Sequence, residues 1–363
     1  MKRIWNVAAL GAVIVLGLGT FVIDMNKTEA EWELTVKTNP DVWADQTIDV
    51  FYETENETSE RFEVTTERSR IATNMNYIEE AIHYRDTLDP SLRGFYRQMK
   101  ELNFAQSIRT DEGYVGLGQN GNQEIVLFKS TDGETVTSET FKAPADVMEG
   151  SWAGLFVHDG DVHLIFRSGY EAESKTKLAV LKEGTNEITI KDLDLDNDFV
   201  SEVLGTSWFY DRNMMPISTG NRFIPVRVGA YESFTENGET HSTETNRPGL
   251  FAYDIETNKV VQLASKAEES NLTVHDNELM AVQLDGSEIV VDLMTGKPST
   301  RQVIDGSVGT TTYVGNQLYH VRPTKDGAVI DVYEDGKEVS SAAVNATNEE
   351  AKLLLDGAQF YVR

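Results

Sequence analysis

The chain contains no cysteine. That absence excludes disulfides, thiolate metal sites, a cysteine nucleophile and a lipidated cysteine. A chain of 363 residues has core enough to fold without such cross-links. Basic residues are scarce beside acidic ones: 32 Lys and Arg stand against 60 Asp and Glu, for a net charge of -28. A surface of that sign repels nucleic acid and anionic headgroups, so no nucleic-acid partner is expected. It attracts divalent cations or basic partners, or serves solubility alone. Histidine is also sparse. No two of His83, His158, His163, His241, His275 and His320 have the HExxH spacing of a zinc protease. There is no G-x-S-x-G elbow and no P-loop. A Ser-His-Asp triad needs no adjacency in sequence, so it is not excluded, but nothing points to one. Hydrophobic residues at 40% and charged residues at 25% argue for a packed core rather than disorder.

One long uncharged run is present, over residues 4–23, with Lys2 and Arg3 before it and Asp24 after it. A helix of that length spans roughly 30 Å of hydrocarbon. Positive charge on the short N-terminal side predicts that this side stays in the cytoplasm. The expected layout is a cytoplasmic tip at 1–3, a transmembrane signal anchor at 4–23, a linker at 24–30 and an extracytoplasmic domain at 31–363. A cleaved signal peptide is the rival. Its apolar core is shorter, about 7 to 15 residues, and the nearest small-x-small site, Thr28-Glu29-Ala30, is distant and poor.

The remainder repeats. Val157-His158-Asp159-Gly160-Asp161-Val162, Val274-His275-Asp276-Asn277-Glu278-Leu279 and Val314-Gly315-Asn316-Gln317-Leu318 share a tight turn followed by hydrophobic alternation. Thr219-Gly220-Asn221-Arg222-Phe223 fits the frame, Leu355-Asp356-Gly357-Ala358-Gln359-Phe360 fits with one extra residue, and Glu112-Gly113-Tyr114 matches loosely. Second hairpins are expected at Asp132-Gly133, Glu183-Gly184, Thr257-Asn258, Thr295-Gly296 and Asp335-Gly336, because Gly and Asn accept the positive φ of tight turns. Two hairpins per unit make about four strands. The pattern resembles propeller-type repeats in general, over residues 105–363, and implies an all-β, β-propeller-like domain of about six blades. The last unit is incomplete. Residues 47–53 and 61–67, which alternate at period two, are expected to complete the blade begun at Leu353, with 32–38 as a further strand.

Residues 74–104 break the strand rhythm and predict a helical hairpin. Asp89-Pro90 reads as an N-cap with proline at the first helical position, and Leu92, Phe95, Tyr96, Met99 and Leu102 form an apolar stripe. Arg85, Arg93, Arg97 and Lys100 face either an acidic surface of the domain or a partner.

Three stretches resemble functional motifs. Gly116-Leu117-Gly118-Gln119-Asn120-Gly121 has the letters of a dinucleotide fingerprint, but a strand rather than a helix is expected after it, so these glycines read as a β-turn. Asp192, Asp194, Asp196 and Asp198 alternate as calcium ligands do, making calcium the possible cofactor. The EF-hand pattern fails at Asn197 and Val203, and a carboxylate row on the outside of a strand would alternate identically. His158 and His275 occupy one repeat position, which argues for a shared role in a turn. The longest insertion lies between Gly205 and Pro248. It brings Trp208, Tyr210, Arg212, Arg222 and Arg227 together as a candidate ligand-binding set, since aromatics and arginines dominate binding hot spots. Residues 233–246 read as a flexible loop above that set.

These observations lead first to a non-catalytic, membrane-anchored binding or sensory module, one face of which takes a protein, a peptide or an envelope polymer. A calcium-dependent extracellular hydrolase or lyase acting on carbohydrate or ester is the second expectation. A structural subunit of a membrane complex is the third.

Overall fold

The computed structural model describes residues 30–53, 59–72, 92–169, 174–195, 198–208, 216–236, 239–265, 267, 271–306 and 309–363. The expected anchor at 4–23 lies outside them. Among the described residues no helix is long and apolar enough to cross a membrane. The protein is nearly all β, with several four-stranded antiparallel sheets. Two compact units divide the chain: Met75–His320 with Asp331–Val339, and Met1–Asn74 with Val321–Ile330 and Ser340–Arg363.

In the larger unit, consecutive strands pair in order. The first sheet runs Asn103–Thr110, Gly113–Gln119, Ile125–Ser130, Thr137–Phe141. The second runs Ser151–His158, Asp161–Ser168, Lys175–Lys182, Glu187–Asp192. A third has Asp198–Val203, Phe223–Glu236, Leu250–Asp254 and Lys259–Ala264, and a fourth Asn271–His275, Glu278–Val282, Ser287–Asp292 and Lys297–Gln302. The turns behave as the residues dictate. Asp159 and Gly160 have φ of 49° and 80°, and Asp335 and Gly336 have 51° and 73°, the paired positive values of a tight hairpin. Alternate residues of the strands build one large apolar cluster, including Leu117, Leu164, Phe166, Leu279 and Val291.

The smaller unit draws on distant parts of the chain. Ala358–Val362 pairs with Ile48–Glu53, which pairs with Ser59–Val64, which pairs with Ser69–Ile71. The N-terminal strands therefore do complete the sheet of the last strand. That strand starts at Ala358 rather than near Leu353, because Glu349–Leu354 is helical, capped where Asn348 accepts the amide of Ala351 at 2.9 Å. Trp32–Thr38 is also a strand and pairs antiparallel with residues 341–346, from Trp32↔Ala346 to Thr38↔Ser341. Trp32 packs on Phe62 and Phe360, at 6.3 and 5.7 Å between ring centroids. The opposite face of the terminal sheet is charged. The buried carboxylates of Asp49 and Glu63 are covered by Arg61, Arg70 and Arg363, with Arg363 2.6 Å from Glu63 and Arg61 3.1 Å from Asp49. Burial pushes the Asp49 carboxyl up despite the adjacent Arg363 and Arg61.

Three expectations need correction. The helical segment ends before 104, since Asn103 already begins a strand; the described helix is Arg93–Met99, and the expected cap at Asp89 lies outside the described residues. Gly116 and Gly118 are strand residues rather than turn residues. A Cβ on Gly116 would lie 2.8 Å from the Met99 sulfur, and one on Gly118 would lie 2.6 Å from Leu102, so the glycines let the helix and the turn after it pack closely on the sheet. Residues 233–236 and 239–246 are strand rather than flexible loop. Phe223–Glu236 and Glu239–Asn246 pair in register from Gly229↔Asn246 to Glu236↔Glu239, consistent with the strand preference of their aromatic residues and threonines.

Candidate functional site

Between the third sheet's first two strands the chain of the larger unit leaves that sheet, and the described parts of this excursion are residues 204–208 and 216–222. Its first part, Ser207–Trp208, adds to the first sheet by pairing with Ser107 and Gln106. Its last part is pinned to two hairpin turns. Ile217 bridges Thr110 on one side and Asp276 on the other, both parallel. The Ile217 amide donates to the Arg109 carbonyl at 3.0 Å, and the Ser218 amide donates to the Asp276 carbonyl at 3.0 Å. The Ser218 hydroxyl and Thr219 amide donate to the two Asp111 carboxylate oxygens at 3.2 and 3.1 Å. Asn221, fully buried, donates its amide nitrogen to the same Asp276 carbonyl at 2.9 Å.

The crossing segment lies over a narrow crevice of about 10 Å³, room for roughly one water molecule. Its wall is apolar, from Ile108, Phe156, Val157, Val203 and Ile217, and Thr110, Ser218 and Thr219 add hydroxyls. A second crevice of about 10 Å³ lies between the third and fourth sheets, with Leu204, Leu250 and Leu279 in its wall beside Arg227 and Arg247.

Of the predicted site residues, Arg222 and Arg227 are each engaged by a carboxylate. Arg222 grips Asp254 through two bonds of 2.9 Å and reaches Glu256 at 2.6 Å, while its guanidinium lies over Phe223. The hydrogen bonds from Arg222 hold the Asp254 carboxyl below the usual carboxylate range. Arg227 is paired with Glu202 at 2.8 Å. Trp208 is placed by its backbone on the first sheet; Tyr210 and Arg212 lie outside the described residues. Of the four aspartates, Asp192 ends a strand with Lys177 3.9 Å away, and Asp194 is exposed. Asp198 is bound by Arg247 at 2.7 Å, and Asp196 lies outside the described residues. Leu193, between two of the aspartates, is buried in an apolar cluster, so its inward side chain accounts for the alternation there. Among the described residues no group of three or more His, Asp or Glu side chains is placed to hold a metal ion. His158 and His275 do share a role: each sits 3.5 to 3.8 Å from the aspartate that follows it in its turn.

What sequence reasoning missed is the joining of the turns. Asp276 and Asn221 each belong to a repeat frame visible in sequence, and Asp111 stands just before the loosely matching Glu112-Gly113-Tyr114. That one segment stitches two of those turns together follows from long-range backbone pairing with no local signature.

No protein-family model matches this chain, and no curated protein matches it. Solved structures match in part. An uncharacterized protein from Listeria monocytogenes EGD-e aligns over 68% of this chain and 67% of its own, at 8% identity and a TM-score of 0.36. The polysaccharide lyase Uly1 aligns over 68% and 58%, at 10% and 0.34. A prolyl endopeptidase structure aligns over 72% and 45%, at 13% and 0.27. Likenesses this distant carry no inference about chemistry.

Proposed function

We propose that this protein is a membrane-anchored, extracytoplasmic binding or sensory module with a β-propeller-like domain. The anchor reading rests on the uncharged run at 4–23 behind Lys2 and Arg3. The propeller reading is supported by the succession of four-stranded antiparallel meanders, the last completed by N-terminal strands. The binding reading is carried by one observation: residues 207–208 leave their own sheet for the first one and residues 216–222 fasten two turns of other sheets, so that Ser218 and Thr219 are held in fixed geometry beside the Asp111 carboxylate. Inserted segments positioned by a rigid scaffold are where binding groups concentrate. The ligand class is a protein, a peptide or an envelope polymer.

The test is direct binding of the full chain, in detergent, to arrays of peptides and of cell-envelope polysaccharides. Asp111→Ala, which removes the carboxylate that fastens Ser218 and Thr219, should weaken the array signal while the protein stays folded. Wild-type signal that persists unchanged in a folded Asp111→Ala protein would move the site elsewhere. A wild-type chain that binds neither array would remove the binding reading.

A further inference from the structure

We infer that the end of the smaller unit formed by Glu31, the turn at Lys325 and Asp326, and the helix Glu349–Leu354 is the part of the domain that rests against the lipid surface. The inference rests on the anchor reading above and adds an orientation to it. Trp32 enters its strand at a fixed point, opposite Ala346. The residue before it is fastened as well: the Glu31 amide donates to the Asn348 side chain at 3.1 Å, and the Glu31 carbonyl accepts from the Thr347 amide at 2.9 Å. Between the apolar run ending at residue 23 and this clamp there are only the linker residues 24–30. Seven residues reach at most about 25 Å when fully extended. A domain held on so short a lead presents to the bilayer the end at which the lead attaches.

That end is mildly acidic like the rest of the surface: Lys325 lies 3.6 Å from Asp326 and Lys352 2.8 Å from Glu349, and Glu31 and Glu350 add to them, so a zwitterionic bilayer suits it better than an anionic one. On the same short helix Leu353 is 80% exposed, the most exposed large apolar side chain among the described residues. In water that exposure is a cost; at the headgroup boundary it becomes a favourable contact. The other end of strand Trp32–Thr38 leads through Pro40–Trp43 to Asp45, which is exposed and carries no comparable apolar group beside it.

The absence of cysteine makes the experiment clean. Leu353→Cys and Asp45→Cys, both exposed positions, are made separately in the full chain, labelled with an environment-sensitive fluorophore and reconstituted into phosphatidylcholine vesicles containing a headgroup-attached quencher. The label at position 353 should be quenched at least about twofold more than the label at 45, with emission shifted to the blue, as expected for a side chain at the interfacial boundary. Equal quenching, or stronger quenching at 45, in a protein that resists alkaline extraction overturns the orientation and leaves the anchor intact. Release of the chain by alkaline extraction removes the anchor reading and the orientation with it.

Discussion

The sheet Ser151–Asp192 is made by four strands that follow one another in the chain, whereas the sheet around Ile48–Glu53 joins residues from opposite ends of it. In the first, every pairing closes a short hairpin. In the second, Val50 meets Phe360 across about 310 residues of intervening chain. Closing a loop of that size costs roughly 3 kcal/mol more than closing one of ~10 residues. The two sheets are held differently in consequence. The contiguous sheet relies on fully buried apolar residues such as Leu164, Phe166 and Leu181. The terminal sheet adds specific locks: Trp32 against two phenylalanines, three arginines over two buried carboxylates, and Trp43 donating to Ser340 at 2.8 Å. Directional contacts occur in both, since Trp152 of the contiguous sheet donates to the Val147 carbonyl at 2.9 Å, but in the terminal sheet they join strands from opposite ends of the chain.

The largest expected effect tests that difference. Trp43→Ala and Phe166→Ala each empty a fully buried site and should each cost about 3 to 5 kcal/mol. Their consequences should diverge. With Trp43 gone, hydrogen exchange should quicken first in residues 48–64 and 358–362, as a unit that opens below the global transition. With Phe166 gone, protection should fall through residues 151–182. Equal acceleration in both regions by either variant would show that the sheets open as one and that the contrast is only topological.

The contrast also marks how much was legible in the sequence. Contiguous hairpins announce themselves through turn chemistry: Asp159-Gly160, Thr295-Gly296 and Asp335-Gly336 all fall where positive φ is needed. The terminal sheet was legible because residues 47–53 and 61–67 alternate and the last unit lacked partners. Gly116 and Gly118 misled as turn formers because nothing local says that a helix will lie across them. The candidate site was least legible. Arg222 and Arg227 were chosen for their chemistry, and the folded chain engages each with a carboxylate that lies nearby only in space: Asp254, 32 residues on, and Glu202, 25 residues back.

A middle-sized effect separates the regions by pH. His163 lies in the contiguous sheet, stacked on Phe156 at 4.7 Å between ring centroids and edge-on to His158. Burial, reinforced by His158, pushes its imidazole down to about 4 from an ordinary 6.5. The unfolded chain therefore takes up a proton between those values while the folded chain does not. Stability should fall as pH drops from about 6.5 to about 4, by roughly 3 kcal/mol at most. Asp161 and Lys191, the other charged groups acting on this ring, oppose each other and leave burial dominant. Urea unfolding at pH 7 and pH 4.5 should show the loss, and His163→Phe should flatten that part of the profile. A wild-type profile already flat over this range would mean that the ring is open to water.

The smallest effect lies where the remote strand is clamped. Asn348 accepts the amide of Ala351 as a helix cap and also accepts the amide of Glu31, so one side chain orders the helix Glu349–Leu354 and the lead into Trp32. Asn348→Ala should cost about 1 kcal/mol through the lost cap. Asn348→Asp preserves both acceptors and should recover most of it. If the remote strand depends on directional contacts, Asn348→Ala should also raise the exchange rate of the Trp32–Thr38 amides beyond what the global loss explains. Should those amides keep their protection while the helix alone frays, the lock belongs to the aromatic contacts of Trp32, and the polar clamp serves only the helix.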